Sequence, residues 1–215
     1  MSKLSETPSE KVQETVQATA LVATEFSQEQ RRTLLSIAHE AILCTLERRP
    51  FAGGPPFSPE LLEPRGVFTT LYLRHELADH ARELRGCVGY AMPVIALYRA
   101  VAETARAAAF EDSRFLPVSK EEAPKLEVSL SVLSRLFRIF PEAAEVGRHG
   151  LFIFQDTRRG VLLPQVPVEQ GWDRETFLEQ TCRKAGLPLD AWRKDATIQA
   201  FTAEVFSDAD AGVHG

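Results

Sequence analysis

Val67-Phe68-Thr69-Thr70-Leu71-Tyr72-Leu73-Arg74 sets Val67, Thr69, Leu71 and Leu73 against Phe68, Thr70 and Tyr72. That period-two alternation predicts a strand with one face buried. A polar connection over 75–82 follows, and residues 83–90 then pair back on the first strand. The same device recurs downstream. Leu126, Val128, Leu130 and Val132 alternate with Glu127, Ser129 and Ser131, and residues 151–155 and 161–166 flank a polar turn at 156–160. A last strand is expected over about 197–206. Strands joined mostly by hairpins, with helices between them, predict an α+β fold with mainly antiparallel sheet and flanking helices, not a doubly wound one.

The helices announce themselves by caps and spacing. Ser27 with Gln30 forms a capping-box pattern ahead of Leu34, Ile37, Ala38, Ala41, Ile42 and Leu46, which predicts a helix over about 28–48. Cys44 sits beside that apolar stripe and reads as a small buried hydrophobe. Pro50 and Gly53-Gly54-Pro55-Pro56 end it in a loop. Pro93 is expected to open a second helix through Ile95, Leu97, Ala100, Val101 and Ala108. Ser119 with Glu122 caps a short turn, and Asp173 caps a helix that closes at Gly186. Residues 1–26, rich in Ser, Thr, Glu and Gln, read as a mobile tail, and 207–215 as a loose C-terminal one, leaving 27–206 as the domain.

Composition narrows the function classes. The chain has 215 residues, 44% hydrophobic and 26% charged, with net charge −5. An acidic balance with dispersed basic residues argues against nucleic acid as a partner. No apolar run approaches the roughly 20 residues that cross a bilayer. Met1-Ser2-Lys3-Leu4-Ser5-Glu6 is polar where a secretory leader is apolar. Cys44, Cys87 and Cys182 are odd in number and far apart, so reduced thiols in a cytoplasmic protein are expected. His75 and His80 with Asp79 lack a third and fourth protein ligand, so no metal site is expected. A phosphate loop, a dinucleotide fingerprint and a nucleophile elbow are all missing, and no cofactor is implied.

The stretch that stands out chemically is Leu84-Arg85-Gly86-Cys87-Val88-Gly89. Two glycines this close in a strand pattern mark a bulge, a bend or the close approach of another backbone or a ligand. A bulge that brought the Arg85 cation toward Cys87 would favour the thiolate. Cys87 therefore reads either as a reactive or ligand-contacting thiol on a glycine-softened strand, or as a small residue filling a tight packing site.

This hexapeptide resembles the Leu-Arg-Gly-Cys-Ile-Gly hallmark of the AMMECR domain family, whose bacterial and archaeal members are called AmmeMemoRadiSam system protein A. The resemblance extends over about 28–206. It takes in Asp112-Ser113-Arg114-Phe115, the strand Glu127-Val128-Ser129-Leu130-Ser131-Val132-Leu133, and Gly147-Arg148-His149-Gly150-Leu151. It continues through Leu163-Pro164-Gln165-Val166, Glu169-Gln170-Gly171-Trp172-Asp173 and Lys184-Ala185-Gly186-Leu187-Pro188. Val88 replaces the hallmark's Ile. The family implies two intertwined subdomains with the hallmark beside a cleft between them, and association with a Memo-like protein and a radical-SAM protein. It supplies no settled reaction.

If the matched segments converge, Cys87 would meet some of Arg85, Gly86, Gly89, Asp112, Arg114, Ser129, Gln165 and Glu169 as ligand-binding groups. His149 would be the imidazole that activates the thiol, and Glu127 a carboxylate that orients it or acts as general acid. His149 reads equally as a solvated turn histidine, and Asp112 with Arg114 as a local ion pair fixing its loop. Two functions fit. One is a cysteine-dependent transferase or hydrolase acting on a small or peptide-like ligand. The other is a non-catalytic module that presents a substrate or docks the Memo-like and radical-SAM partners.

Overall fold

The computed structural model describes residues 25–53, 58–74 and 82–212. Helix α1, Gln28–Leu46, starts at the expected capping box: the Ser27 hydroxyl accepts the Gln30 N–H at 3.2 Å, and the Gln30 side chain accepts the Ser27 N–H at 2.8 Å. Its stripe Leu34, Leu35, Ile37, Ala38, Ala41 and Ile42 is buried. A short helix α2, Pro59–Leu62, leads to the strand pair β1, Val67–Arg74, and β2, Arg82–Tyr90. Helix α3, Leu97–Phe110, then packs back on that pair, and β3, Leu126–Leu133, joins β1 on its free side. The first sheet is closed by β8, Ala203–Ser207, in the order β2-β1-β3-β8. Helices α1 and α3 cover one face of it. Val67, Leu71, Val128, Leu130 and Val132 meet Leu34, Ala38, Ile42, Ala100, Val101 and Ala105 there in one apolar core.

Between β3 and β8 the chain builds a second sheet. Its members are β4, Phe137–Arg138; β5, Gly150–Gln155; β6, Arg158–Leu162; and β7, Thr197–Phe201, in the order β4-β7-β5-β6. Helix α4, Gln165–Glu169, and helix α5, Arg174–Lys184, lie between β6 and β7 in sequence. α5 packs Phe177, Leu178 and Cys182 on Leu151, Ile153, Ile198 and Ala200, a second and separate core. Every strand pairing in both sheets is antiparallel. The α+β class and the antiparallel sheets are as the alternation predicts.

Several boundaries differ from the sequence reading, each for a physical reason. Phe26, placed in the tail, is 1% exposed and its ring lies 6.5 Å from that of Phe206. The rest of the expected tail, residues 1–24, lies outside the described residues. α3 begins at Leu97 and not at Pro93, because Ala96 bridges Pro64 and the Leu97 N–H bonds the Glu63 carbonyl, holding the preceding residues extended. β6 ends at Leu162: Pro164 has no N–H for the ladder, and Gln165–Glu169 is helical. Asp156, at φ 53°, supplies the left-handed residue of the two-residue turn between β5 and β6. The expected strand over 197–206 is two strands that part at Thr202, β7 in the second sheet and β8 in the first. Part of the expected C-terminal tail is also described, residues 213–215 lying outside the described residues. Asp208–Ala211 forms a helical turn, α6, and Asp208 is 2% exposed.

Candidate functional site

Register decides what the first sheet shows on the face away from its helices. Thr70 lies opposite both Cys87 and Ser129, and Ser129 lies opposite Ser207. Residues directly opposite share a face. Cys87, Thr70, Ser129 and Ser207 therefore form one row of small polar side chains across all four strands. The Thr70 hydroxyl donates to the Cys87 sulfur at 3.3 Å, and the Ser207 hydroxyl donates to Asp210 at 2.8 Å. Neighbouring rows on this face carry Phe68 and Ser131 on one side, Tyr72 and Glu127 on the other. Cys87, Thr70 and Ser129 are all half-buried.

Cys87 sits on an edge strand, where backbone polar groups would otherwise be unpaired. Two side chains from the loop after α3 fill that role. Asp112 accepts the Cys87 N–H at 2.9 Å, and Arg114 donates to the Cys87 carbonyl at 3.4 Å. Arg114 also grips Asp112 at 2.7 Å. That guanidinium, with the N–H groups of Cys87 and Arg114, holds the Asp112 carboxyl far below the usual carboxylate range, against a smaller opposing effect of burial. Arg114 in turn holds its proton more firmly, chiefly through its hydrogen bond to Asp112. The local ion pair is real, and it also fixes the backbone of the hallmark.

The two glycines have different tasks. Leu71 lies opposite Gly86 but Tyr72 opposite Leu84, so Arg85 is the extra residue of a β-bulge. Gly86 faces the core, where an added Cβ would stand 2.1 Å from the Ala108 carbonyl oxygen of α3. Gly89 faces the other way, where a Cβ would meet the Phe68 ring at 2.2 Å. The bulge does not aim Arg85 at the thiol. Its guanidinium pairs with Glu122 at 2.9 Å and bonds the Pro117 carbonyl, which ties the bulge to the turn that Ser119 and Glu122 cap.

Glu127 lies on the same face as Cys87, 4% exposed, and is clamped by two arginines. Arg74 reaches it at 3.1 Å and Arg82 at 2.8 Å, and Arg82 also covers the Tyr72 ring. A carboxylate held by two guanidiniums is a fixed anion more than a free base.

His149 belongs to the second sheet's layer. It is 6% exposed, edge-on to Phe137 at 5.8 Å, and its Nδ1 accepts the Glu145 N–H at 3.1 Å. Burial lowers its proton affinity, and the donor aimed at Nδ1 fits a neutral ring. Gln165 and Glu169, at the two ends of α4, are exposed and also belong to that layer. The first sheet thus gathers Arg85, Gly86, Cys87, Gly89, Asp112, Arg114, Glu127 and Ser129. The bonds of His149 are made elsewhere. Among the described residues no cluster of His, Cys, Asp and Glu is placed to hold a metal ion; His75, Asp79 and His80 lie outside them. No described helix is long and apolar enough to cross a membrane.

Four residues of this surface escaped the sequence reading: Thr70, Ser207, Arg74 and Arg82. Their signal is cross-strand register, which no linear motif displays. A fifth is Asp208, whose Oδ2 accepts both the Val128 N–H at 2.7 Å and His39 at 2.9 Å, pinning α6 to β3 and α1.

A family model described as AMMECR1 matches residues 35–206. A protein of Thermococcus gammatolerans is 46% identical over 157 residues, covering 70% of this chain and 76% of its own. Protein TK0174 of Thermococcus kodakarensis is 42% identical over 183 residues, covering 81% and 88%. Among solved structures, the crystal structure of uncharacterized protein PH0010 from Pyrococcus horikoshii is similar with a TM-score of 0.60 at 41% identity, over 81% of this chain and 89% of that one.

Proposed function

Because the chain belongs to the AMMECR1 family, we propose that it is the recognition component of the AmmeMemoRadiSam system, and that the outer face of its first sheet, centred on Cys87, is the working surface. The observation that carries this reading is the row Cys87–Thr70–Ser129, a band of half-buried hydroxyl and thiol groups, ended by the buried Ser207, laid across a face with no helix of the first core on it. Such a band offers donors and acceptors at strand spacing, which suits a small or peptide-like ligand rich in amide groups. The clamp on the Cys87 backbone keeps the band rigid, so little ordering is needed on binding. A Memo-like protein and a radical-SAM protein are the expected partners. Cytoplasmic residence fits the free cysteines.

Ser129→Arg places a bulky cation in the middle of the band. Wild-type protein is expected to co-purify with the Memo-like and radical-SAM proteins, and Ser129→Arg to lose them while melting like wild type. Undiminished capture by a folded Ser129→Arg protein would overturn the reading.

A second reading is a cysteine-dependent transferase or hydrolase. It is favoured by the half-exposed Cys87 thiol, which has a hydroxyl donor in Thr70 and the Arg114 guanidinium nearby. The bonds of His149 to the second layer and the double clamp on Glu127 weigh against it. Cys87→Ser separates the two by function and not by capture: partner capture survives the change on either reading, whereas the activity of the assembled system vanishes on the enzymatic reading and persists on the recognition one.

A further inference from the structure

The second sheet is an insertion. β4 to β7, with α4 and α5, lie wholly between β3 and β8, so among the described residues the chain passes between the two sheets only at 134–136 and at Thr202. Those crossings run side by side. The Ser134 N–H donates to the Thr202 carbonyl at 2.9 Å, and the Thr202 N–H donates to the Ser134 hydroxyl at 3.0 Å. Leu133 lies opposite Ala203 in the first sheet and Phe137 opposite Ala200 in the second. Three residues, 134–136, therefore face two, 201 and 202, so the ribbon that links the sheets carries one extra residue on one strand. An unmatched residue bends a two-stranded ribbon and interrupts its ladder. Phe201 fills the corner: it is 1% exposed, belongs to neither core, and its ring lies where a side chain on Gly150 would stand.

The packing on either side is separate. α1 and α3 bury their apolar faces on the first sheet and α5 on the second, and the two cores share no residue. Elements in extensive contact with each other fall within one layer or the other. The side-chain tie from this ribbon back to the first layer is ionic. Arg135, the first residue past Ser134, is 73% exposed and pairs with Glu63 of the first layer. Glu63 is held in turn by Arg65, a 3% exposed arginine that also bonds Glu25 and the Leu133 carbonyl. The tie is thus anchored rigidly at one end and free in solvent at the other. An exposed ion pair is weak and screened by salt.

We infer that the junction at Ser134 and Thr202 is a hinge between the two layers, latched by the ion pair of Arg135 with Glu63. Two adjacent backbone crossings fix an axis, a bulge supplies compliance, and separate cores let each layer move as a body. Opening the latch exchanges one solvated ion pair for two solvated charges, so the moving and resting positions lie close in energy.

Spin labels at Lys120→Cys in the first layer and Lys184→Cys in the second, in a Cys87→Ser background, read the motion by electron–electron double resonance. Both label sites are exposed, whereas Cys44 and Cys182 are buried. The expected result is one narrow distance distribution at low ionic strength that broadens and shifts at high ionic strength. Arg135→Ala should reproduce that shift at low ionic strength. The salt arm needs no substitution at the latch, so a misfolded variant does not decide the matter. One unchanged narrow distribution across both salt conditions, with Arg135→Ala superimposed on it, overturns the hinge.

Discussion

The carboxylate of Asp112 receives the N–H of Cys87 at 2.9 Å, so a loop residue 25 positions downstream completes the hydrogen bonding of the strand that carries the thiol. Because Asp112 is held below the usual carboxylate range, chiefly by Arg114, its stabilising effect is full above the unfolded-state value near about 3.9 and is lost as pH falls through and below it. Asp112→Asn should therefore destabilise the protein by about 1.5–3 kcal/mol near neutrality, the size of a charge-assisted bond to a backbone donor. Denaturant melts of both proteins should begin to converge once the pH falls below about 3.9, and the gap should go on narrowing as the pH is lowered further. A gap that stays constant with pH would show that the charge of Asp112 is irrelevant.

Gly86 and Gly89 should behave differently when given a methyl group. At Gly86 the obstacle is the backbone of α3, which cannot step aside, so Gly86→Ala belongs at or above the top of the roughly 1–3 kcal/mol range for overpacking. At Gly89 the obstacle is Phe68, whose half-buried ring can turn away although its Cα, 2.7 Å from the added methyl group, cannot. Gly89→Ala should be milder, and Phe68→Ala should relieve the ring's share of the cost, though not the backbone's, in the double variant. Chemical denaturation of the four proteins gives the comparison; equal costs at the two glycines would contradict it.

The buried imidazole of His149 should make stability fall at mildly acidic pH. Burial places its folded-state proton affinity below that of the unfolded chain. The unfolded state therefore takes up the proton first as pH drops below about 6.5, and native stability declines until the folded histidine also titrates. His149→Gln should flatten that decline. An NMR titration of the His149 ring should place its midpoint below that of a free histidine, and a midpoint at or above that value would contradict the placement.

At Glu127 the asymmetry of exposure sets the order of effects. Arg74 and Arg82 are 40% and 51% exposed and can be solvated if the carboxylate is removed, whereas Glu127 at 6% has no such recourse. The double variant Arg74→Ala/Arg82→Ala should therefore cost more than Glu127→Gln, approaching the roughly 3–5 kcal/mol seen when a buried charge loses its partners. Each single arginine change should cost much less, since the other guanidinium remains. Thermal melts rank the four; a Glu127→Gln protein less stable than the double-arginine variant reverses the argument.

Much of this was legible in the chain. Alternation from Val67 to Leu73 and from Leu126 to Val132 placed β1 and β3 correctly, and the Ser27–Gln30 and Ser119–Glu122 boxes bond as their spacing predicts. The glycine-flanked cysteine marked a bulge, a bend or a close approach; a bulge and the close approach of the α3 backbone to Gly86 are present, although the bulged Arg85 turns to Glu122 and not to the thiol. What stayed hidden depends on register and on chain crossings. The run from Thr197 to Phe206 shifts its alternation by one residue at Ala200-Phe201, but a one-residue slip reads equally as a bulge within one strand and does not by itself reveal that Thr202 carries the chain from one sheet to the other. Thr70 and Ser207 look like ordinary strand residues until pairing sets them in line with Cys87 and Ser129. Asp208 reads as part of a polar tail because its partners, the Val128 amide and His39, lie 80 and 169 residues away.

The central claim, that the face around Cys87 is where partners or ligands engage, is tested most directly by the rate at which iodoacetamide alkylates each cysteine, followed by peptide mass spectrometry. In the isolated protein Cys87 should react while Cys44 and Cys182 stay unmodified, since they are 2% and 0% exposed and burial raises both thiols. Addition of the Memo-like and radical-SAM proteins should then protect Cys87. An isolated protein in which folded Cys87 is inert, or a complex in which its alkylation rate is unchanged, would contradict the account.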